Sequence, residues 1–399
     1  MDQTPRTHTT LLAEQENIPS SIPALYLPLL PSHPYTTTNP PPPSTLLYTP
    51  NHPTPTPTES QYLLKIQTTA LCRGELGWAE ILSPSPTSTE HNKNPPAQPN
   101  GVLKRIPGHD ISGVILSTPR TDEHSITGPK FKVGDEVIGL LAFERDGGAA
   151  DVAVAVDGEL AFKPKNVSAV EAACLPLSGL TAWQAIFEGA GMKGWVGYTS
   201  SSSSDGEADE EEKKKKKEEE EEEEEEEWKR EWEKEKERVK RVLVLNASGG
   251  VGVMLGVDEV LDYTKEKEGL GEAFRKRGWE PVDFVVDCIG GQTLKQAHDA
   301  TVIRDGGVVV SVAQPVPESE PEWEGVRDAI AKRGLTSRFF IVRPDGKQLE
   351  KIALLVEKGE LRAFVEKEME LYQGREAMEL VESGRVRGKV VLRVNYYSR

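Results

Sequence analysis

Cysteine is scarce in this 399-residue chain. Cys72, Cys174 and Cys288 are too few and too dispersed for a disulfide framework, which favours a reduced, intracellular compartment. No apolar run approaches the roughly 18 residues that a membrane-spanning helix needs. A basic stretch followed by an apolar one, the mark of a secretory signal, is missing from the N-terminus, and Glu14 and Glu16 speak against a transit peptide. The cytosol is the expected location. Positive charge is also in deficit, with 48 Lys and Arg against 65 Asp and Glu and a net charge of −17. That balance argues against nucleic acid or an anionic membrane as a partner and leaves a small-molecule substrate.

Much of the negative charge is local. Residues 205–240 hold 20 acidic and 11 basic side chains, which leaves −8 for the rest of the chain, ordinary for a soluble enzyme. This segment follows a serine run and consists of a lysine block, then ten consecutive glutamates at 218–227. Such blocks form a solvated helix through i,i+4 pairs or stay disordered. We read 198–240 as an acidic low-complexity insert, with affinity for a basic partner as its one functional prospect.

What the chain does have is a glycine turn after a buried strand. The run at 240–252 reads Lys-Arg-Val-Leu-Val-Leu-Asn-Ala-Ser-Gly-Gly-Val-Gly. Its β-branched and leucine stretch suits a parallel strand buried on both faces. Gly249, Gly250 and Gly252 then allow a tight turn and the approach of a pyrophosphate to the backbone. Ala247, Ser248 and Val251 complete the turn. A crossover of a dozen or more residues should follow before the next parallel strand. Only four residues separate Gly252 from the apolar stretch 257–263, which already reads as a strand. The acidic residue expected about 20 positions on has no strand to sit on.

Elsewhere the texture changes in blocks. Residues 1–20 are polar and expected to be disordered. The proline-dense stretch 31–60 reads as extended loop or sheet edge. Short strands are predicted at 63–68, 113–117, 136–141 and 151–156, with Gly-Asp and Gly-Gly turns between them, as in a small β-barrel or sandwich. A helix capped by Ser168 is predicted to run to 187. Strands at 284–288 and 308–312 alternate with helices at 270–277 and 294–301, which makes a parallel α/β sheet. Asp345 caps a helix that Gly359 stops, another helix ends at Gly384, and 388–394 is a terminal strand.

These pieces, in this order, resemble the medium-chain dehydrogenase/reductase family, particularly its zinc-free quinone-reductase and enoyl-reductase-like branch. The markers are Ile-Pro-Gly-His-Asp-Ile-Ser-Gly-Val at 106–114, Phe-Lys-Val-Gly-Asp-Glu-Val at 131–137, Leu-Ser-Gly-Leu-Thr-Ala-Trp at 177–183 and the 247–252 turn. Further on come Leu-Gly-Val-Asp-Glu-Val-Leu-Asp-Tyr at 255–263, Val-Asp-Cys-Ile-Gly-Gly at 286–291 and Arg-Gly-Lys-Val-Val-Leu at 387–392. The resemblance implies an α/β protein with a GroES-like β-rich catalytic domain, from residues 21–165 and 345–399. A Rossmann-type parallel α/β cofactor domain, from 166–344, would carry the insert and lack its first helix and second strand. A skipped exon explains that gap better than a true deletion, because the family pattern resumes at Leu255 without drift.

The same resemblance implies the site. Thr181 should approach the nicotinamide ribose, Ile289 and Gly290 flank the cofactor, and Ala313 follows the next strand. Phe340 and Ile341 would line the nicotinamide, and Lys389 would reach a cofactor phosphate. For Ile289 and the phenylalanines, plain core packing is an equal alternative. Cys72, Glu75, Trp78 and His109 are the pocket candidates, with Glu75 equally readable as a solvated surface carboxylate; no single catalytic residue emerges. In zinc-dependent relatives, the first ligand aligns with Cys72 and the second with His109, but the third falls on Leu177, which has no lone pair to offer. Cys174 reads as a small buried hydrophobe. The expected activity is zinc-independent, NAD(P)H-dependent reduction of a quinone or activated enone, with NADP(H) favoured over NAD(H) by the branch, and a homodimer as the form in relatives. An inactive reductase fold serving as a binding scaffold is the alternative, and a zinc alcohol dehydrogenase the weaker one.

Overall fold

A computed structural model of the chain describes residues 18–29, 40–78, 103–120, 128–189, 241–245, 266 and 268–394. Two compact units emerge among them, one holding the residues up to Leu180 and from Arg343 onward, the other those from Thr181 to Val342. The 247–252 turn, the stretch 257–263 and the insert 198–240 lie outside the described residues.

The first unit opens with strands β1 (Ser21–Leu29), β2 (Leu47–Pro53), β3 (Tyr62–Leu71), β4 (Leu103–Arg105), β5 (Asp110–Ser117), β6 (Glu136–Leu140), β7 (Val152–Ala155) and β8 (Leu160–Phe162). Helices α1 (Ala169–Ala172) and α2 (Pro176–Trp183) follow; from Thr181 the latter counts with the second unit and runs on as a π turn to Gly189. The second unit contains β9 (Val242–Leu245), α3 (Leu270–Arg277), β10 (Val282–Asp287), α4 (Gly291–Ala297), β11 (Ile303–Ser311), α5 (Glu324–Arg333) and β12 (Thr336–Phe339). The chain then returns to the first unit with α6 (Gly346–Glu357), β13 (Val365–Glu370), α7 (Gly374–Glu382) and β14 (Lys389–Arg393).

In the first unit a seven-stranded sheet of order β13-β14-β3-β5-β6-β8, with β7 also on β3, accompanies a small sheet of order β2-β1-β4. The terminal strand β14 pairs antiparallel with β3, which ties residues 390–393 to residues 68–71. Strand β1 carries Pro23 and Pro28, residues that a central strand rarely holds. Pro23 falls at a register irregularity between Ile22 and Ala24, and Pro28 lies in the half paired only with β4. A missing N–H is tolerated at such places. The proline-dense stretch contributes β2, at the edge of the small sheet.

The helix predicted from Ser168 to 187 is broken. Ser168 caps α1 and forms a capping box with Glu171, but helical geometry lapses before Pro176, whose ring disfavours helix in the preceding residue. Residues 166–180 group with the first unit: the Asn166 side-chain amide donates to the Val356 carbonyl and the Thr68 hydroxyl to the Ala169 carbonyl. Cys174 is buried against Ala70, Ala173 and Val391.

One buried carboxylate stands out in this unit. Asp151 is 4% exposed and neither of its oxygens has a hydrogen-bond partner. Burial pushes its carboxyl up to about 7, against the pull of Lys65. The folded chain therefore keeps this proton between pH about 4 and 7 while the unfolded chain has lost it, and wild-type stability falls as pH rises through that window. Asp151→Asn should stabilise the protein at pH 8 by roughly 1–3 kcal/mol. The gain should shrink on acidification and vanish near pH 4. Urea melts at pH 4, 6 and 8 read this directly; a gain independent of pH would refute it.

The second unit is built on a four-stranded, all-parallel sheet of order β12-β11-β10-β9. Its core includes Phe274, Val285, Leu294, Ile303, Val309 and Trp323. β10 is almost wholly buried, whereas Val242 in β9 is 46% exposed and Leu243 and Val244 are half-buried. A strand of that composition is normally covered on both faces.

Candidate functional site

In the first unit, β3 ends at Leu71 and the chain turns through a short 3-10 segment, Glu75–Gly77, that presents Glu75 and Trp78. The Gly-His-Asp sequence at 108–110 leads into β5 beside it. Gly108 has φ +87, and a Cβ there would collide with Thr69 and approach the Ala149 amide to 3.1 Å, so this entry to β5 requires glycine. Three rings meet at this turn: Trp78 and Phe143 with centroids 4.9 Å apart, His109 and Phe143 at 5.3 Å, Trp78 and His109 at 6.2 Å. With Leu27, Glu75, Leu76, Arg105, Ile106 and Pro107 they line a cavity of about 30 Å³. That is room for a water or two, not for a ring-sized substrate.

His109 Nδ1 lies 3.2 Å from the Leu141 carbonyl. A carbonyl only accepts, so Nδ1 carries the hydrogen and Nε2 keeps a lone pair. Burial lowers the ring to about 4, helped by Arg105 and Arg145. His109 is thus neutral at physiological pH and is no proton donor through Nε2. Cys72 is pushed up to about 11 and Cys174 to about 12, both by burial, so neither thiol is ionised at neutral pH.

Glu75 is not a surface carboxylate. It is 6% exposed, and its oxygens accept from the backbone N–H of Cys72 at 3.0 Å, Gly108 at 2.6 Å and His109 at 3.2 Å. Burial raises it to about 7 in spite of those three donors. Its role is to fasten the end of β3 to the entry of β5.

Lys389, expected at a cofactor phosphate, is buried with its ammonium 2.7 Å from Asp110 Oδ2. The other oxygen of Asp110 accepts from the Leu177 N–H at 2.5 Å, near the start of α2. Burial is the largest single influence on Lys389 and lowers it, but the charge and hydrogen bond of Asp110, together with Cys72 and Cys174, outweigh it and hold the lysine above its ordinary value. Burial pushes Asp110 upward, with Lys389 as the main counterweight. This pair joins β14, β5 and α2, a connection across 279 residues that no local pattern could disclose.

In the second unit the four parallel strands end in register. Leu245 pairs with Asp287, Asp287 with Ser311, and Ser311 with Phe339. Ligands of open parallel sheets sit beyond such carboxyl ends. Asp287 is fully buried and accepts from Ile289 N at 3.2 Å, Gly290 N at 3.1 Å and the Ser311 hydroxyl at 2.6 Å. Ser311 Oγ in turn accepts from Ala313 N at 3.2 Å and Gln314 N at 3.3 Å. The Gln314 side chain accepts from Gly291 N at 3.0 Å. Gly290 has φ +78, and a Cβ there would meet Gln314 Oε1 at 2.8 Å.

Ile289, Gly290, Ala313, Phe340 and Ile341 are thereby brought to one edge of one sheet. Phe340 donates its N–H to the Ser311 carbonyl at 3.2 Å, while Phe339 and Ile341 are 38% and 42% exposed. Ile289 is half-buried against the core. Thr181 is buried in α2. Cys72, Glu75, Trp78 and His109 come together in the first unit. The residues that sequence reasoning missed are Asp287, Ser311 and Gln314. For Asp287 and Ser311 the signal was there, a carboxylate and a hydroxyl each ending a valine-rich strand just before a turn; no local pattern marked Gln314.

Comparison with known proteins gives this arrangement a family. The family model for zinc-binding dehydrogenases matches residues 255–392. A protein of Arthroderma benhamiae, named probable zinc-binding oxidoreductase, mitochondrial, is 32% identical over 380 residues, covering 88% of this chain and 94% of its own. Human NAD(P)H oxidoreductase RTN4IP1, mitochondrial, is 27% identical over 327 residues, covering 72% of this chain and 70% of its own. Among solved structures, a quinone oxidoreductase from Coxiella burnetii superposes with a TM-score of 0.63 at 20% identity, covering 94% of this chain and all of that one. The chain belongs to the medium-chain dehydrogenase/reductase family, a family of oxidoreductases.

Proposed function

We propose that this protein is an NAD(P)H-dependent reductase of quinones or activated enones that works without zinc. The observation that carries the reading is the in-register ending of β9 to β12. There a buried Asp287–Ser311 pair shapes two turns, Gly290 lets them approach each other closely, and Phe339 and Ile341 leave apolar surface beside them. The described residues suit a flat, partly apolar nicotinamide, which when bound supplies the hydride. The chain's own tasks are to bind, orient and exclude water. RTN4IP1 is named for NAD(P)H, and an Arabidopsis thaliana relative, 24% identical over 366 residues, is named a chloroplast envelope quinone oxidoreductase homolog, which supports both halves of the proposal.

Against zinc stands the chemistry of the donor set. By the family resemblance Leu177 stands at the third ligand position and has no lone pair to offer, and the Lys389 ammonium already neutralises Asp110. Among the described residues no three His, Cys, Asp or Glu side chains are grouped to hold an ion.

The test is titration of the purified full-length protein with NADPH and NADH by tryptophan quenching, then assay against a benzoquinone and an enone, with metal analysis of the same sample. Micromolar binding of a reduced nucleotide, turnover of one acceptor, and less than about 0.1 zinc per chain are expected. No nucleotide-driven reduction of either acceptor would refute the activity; one tightly held zinc per chain would refute the zinc-free assignment.

A further inference from the structure

At the carboxyl end of the sheet, a fully buried carboxylate and a buried hydroxyl hold two separate loops to each other. The β10–α4 turn hangs on Asp287, whose oxygens take the N–H groups of Ile289 and Gly290. The turn after β11 hangs on Ser311, whose oxygen takes the N–H groups of Ala313 and Gln314. The 2.6 Å bond from the Ser311 hydroxyl to Asp287 Oδ2 links the two. A hydroxyl has one proton to give, and giving it to Asp287 leaves its lone pairs directed at the other loop. Both groups sit in the last cross-strand row, where a ligand would lie just beyond them.

Four backbone amides are therefore fixed by two side chains that need touch no ligand. Without the hydroxyl, the Ala313 and Gln314 amides lose this acceptor, Asp287 loses the side-chain donor that Ser311 supplies, and the loops are free to part. Gln314 then also leaves the Gly291 amide it accepts from, loosening the first turn of α4. A ligand binding to parted loops must first reorder them, which weakens its affinity without altering its chemistry once bound.

We propose that Asp287 and Ser311 are positioning residues for nucleotide binding, acting through the Ile289–Gly290 and Ala313–Gln314 backbones; this rests on the nicotinamide-dependent reading above. The experiment compares full-length wild type, Ser311→Ala, Ser311→Thr and Asp287→Asn for NADPH and NADH affinity, nucleotide KM and kcat. Ser311→Ala should raise Kd and nucleotide KM roughly tenfold to a hundredfold, the loss expected for a hydrogen bond to a charged group. At saturating nucleotide, kcat should stay within about twofold. Ser311→Thr, which keeps the hydroxyl on a strand that favours β-branching, should recover most of the affinity, and Asp287→Asn should resemble Ser311→Ala.

Val302→Ala, a core truncation before β11, serves as a control that lowers stability and leaves nucleotide Kd unchanged. Hydrogen exchange should show the amides of 289, 290, 313 and 314 losing protection together in Ser311→Ala. Nucleotide binding by wild type with an unchanged Kd in Ser311→Ala would overturn the positioning role alone. Failure of wild type to bind either nucleotide would overturn the functional reading and this role with it.

Discussion

Lys389→Met should destabilise the first unit by roughly 3–5 kcal/mol, the usual consequence of removing one member of a buried ion pair. Methionine fills much of the lysine's volume, so the loss is electrostatic rather than a cavity effect. Among the described residues it leaves Asp110, with a side chain 1% exposed, holding only the Leu177 N–H. The double variant Asp110→Asn with Lys389→Met should recover most of the loss, because no buried charge remains while the amide oxygen can still accept from Leu177. Urea unfolding of the single and double variants measures both. A single-variant loss below about 1 kcal/mol, typical of an exposed pair, would show that the pair is not buried as described.

Glu75→Ala should cost roughly 3–5 kcal/mol at pH 8, where the carboxyl is ionised. Three buried N–H groups lose their acceptor, each worth about 1–3 kcal/mol when stranded, and water entering from the adjoining cavity offsets part of that. Glu75→Gln keeps one oxygen, enough for Gly108 and His109, but turns its amide group toward the Cys72 N–H. It should lose about half as much. Equal losses in the two variants would mean that side-chain volume matters here, not hydrogen bonding. The proximity of Glu75 to Trp78 and His109 also predicts altered tryptophan fluorescence in both variants, as the three-ring cluster loosens.

Both predictions concern residues whose roles the sequence obscured. Glu75 and Lys389 are charged, and a single sequence gives a charged side chain no buried partner. Lys389 was read as a phosphate contact and Glu75 as a pocket or surface group. Their true partners are the backbone of a loop 33 residues away and a carboxylate 279 residues away.

Local pattern nevertheless determined a good deal. The helix at 270–277, the Asp345 cap, the Gly359 and Gly384 stops and the strands from 242 and 389 are set by neighbours within a few residues, and the structure has them there. The family and the division into β-rich and parallel α/β parts followed from such signals in order. Tertiary structure decided the rest, because its causes act between distant segments. A bulge and one-sided pairing allow β1 to tolerate two prolines. The break before Pro176 is the exception, a local cause that the apolar pattern masked. Only the parallel register aligns Asp287 with Ser311, turning the ends of two valine runs into one hydrogen-bonded clamp. Short-range periodicity fixes which elements form; desolvation and cross-strand registry, which no local window contains, fix what their polar side chains do.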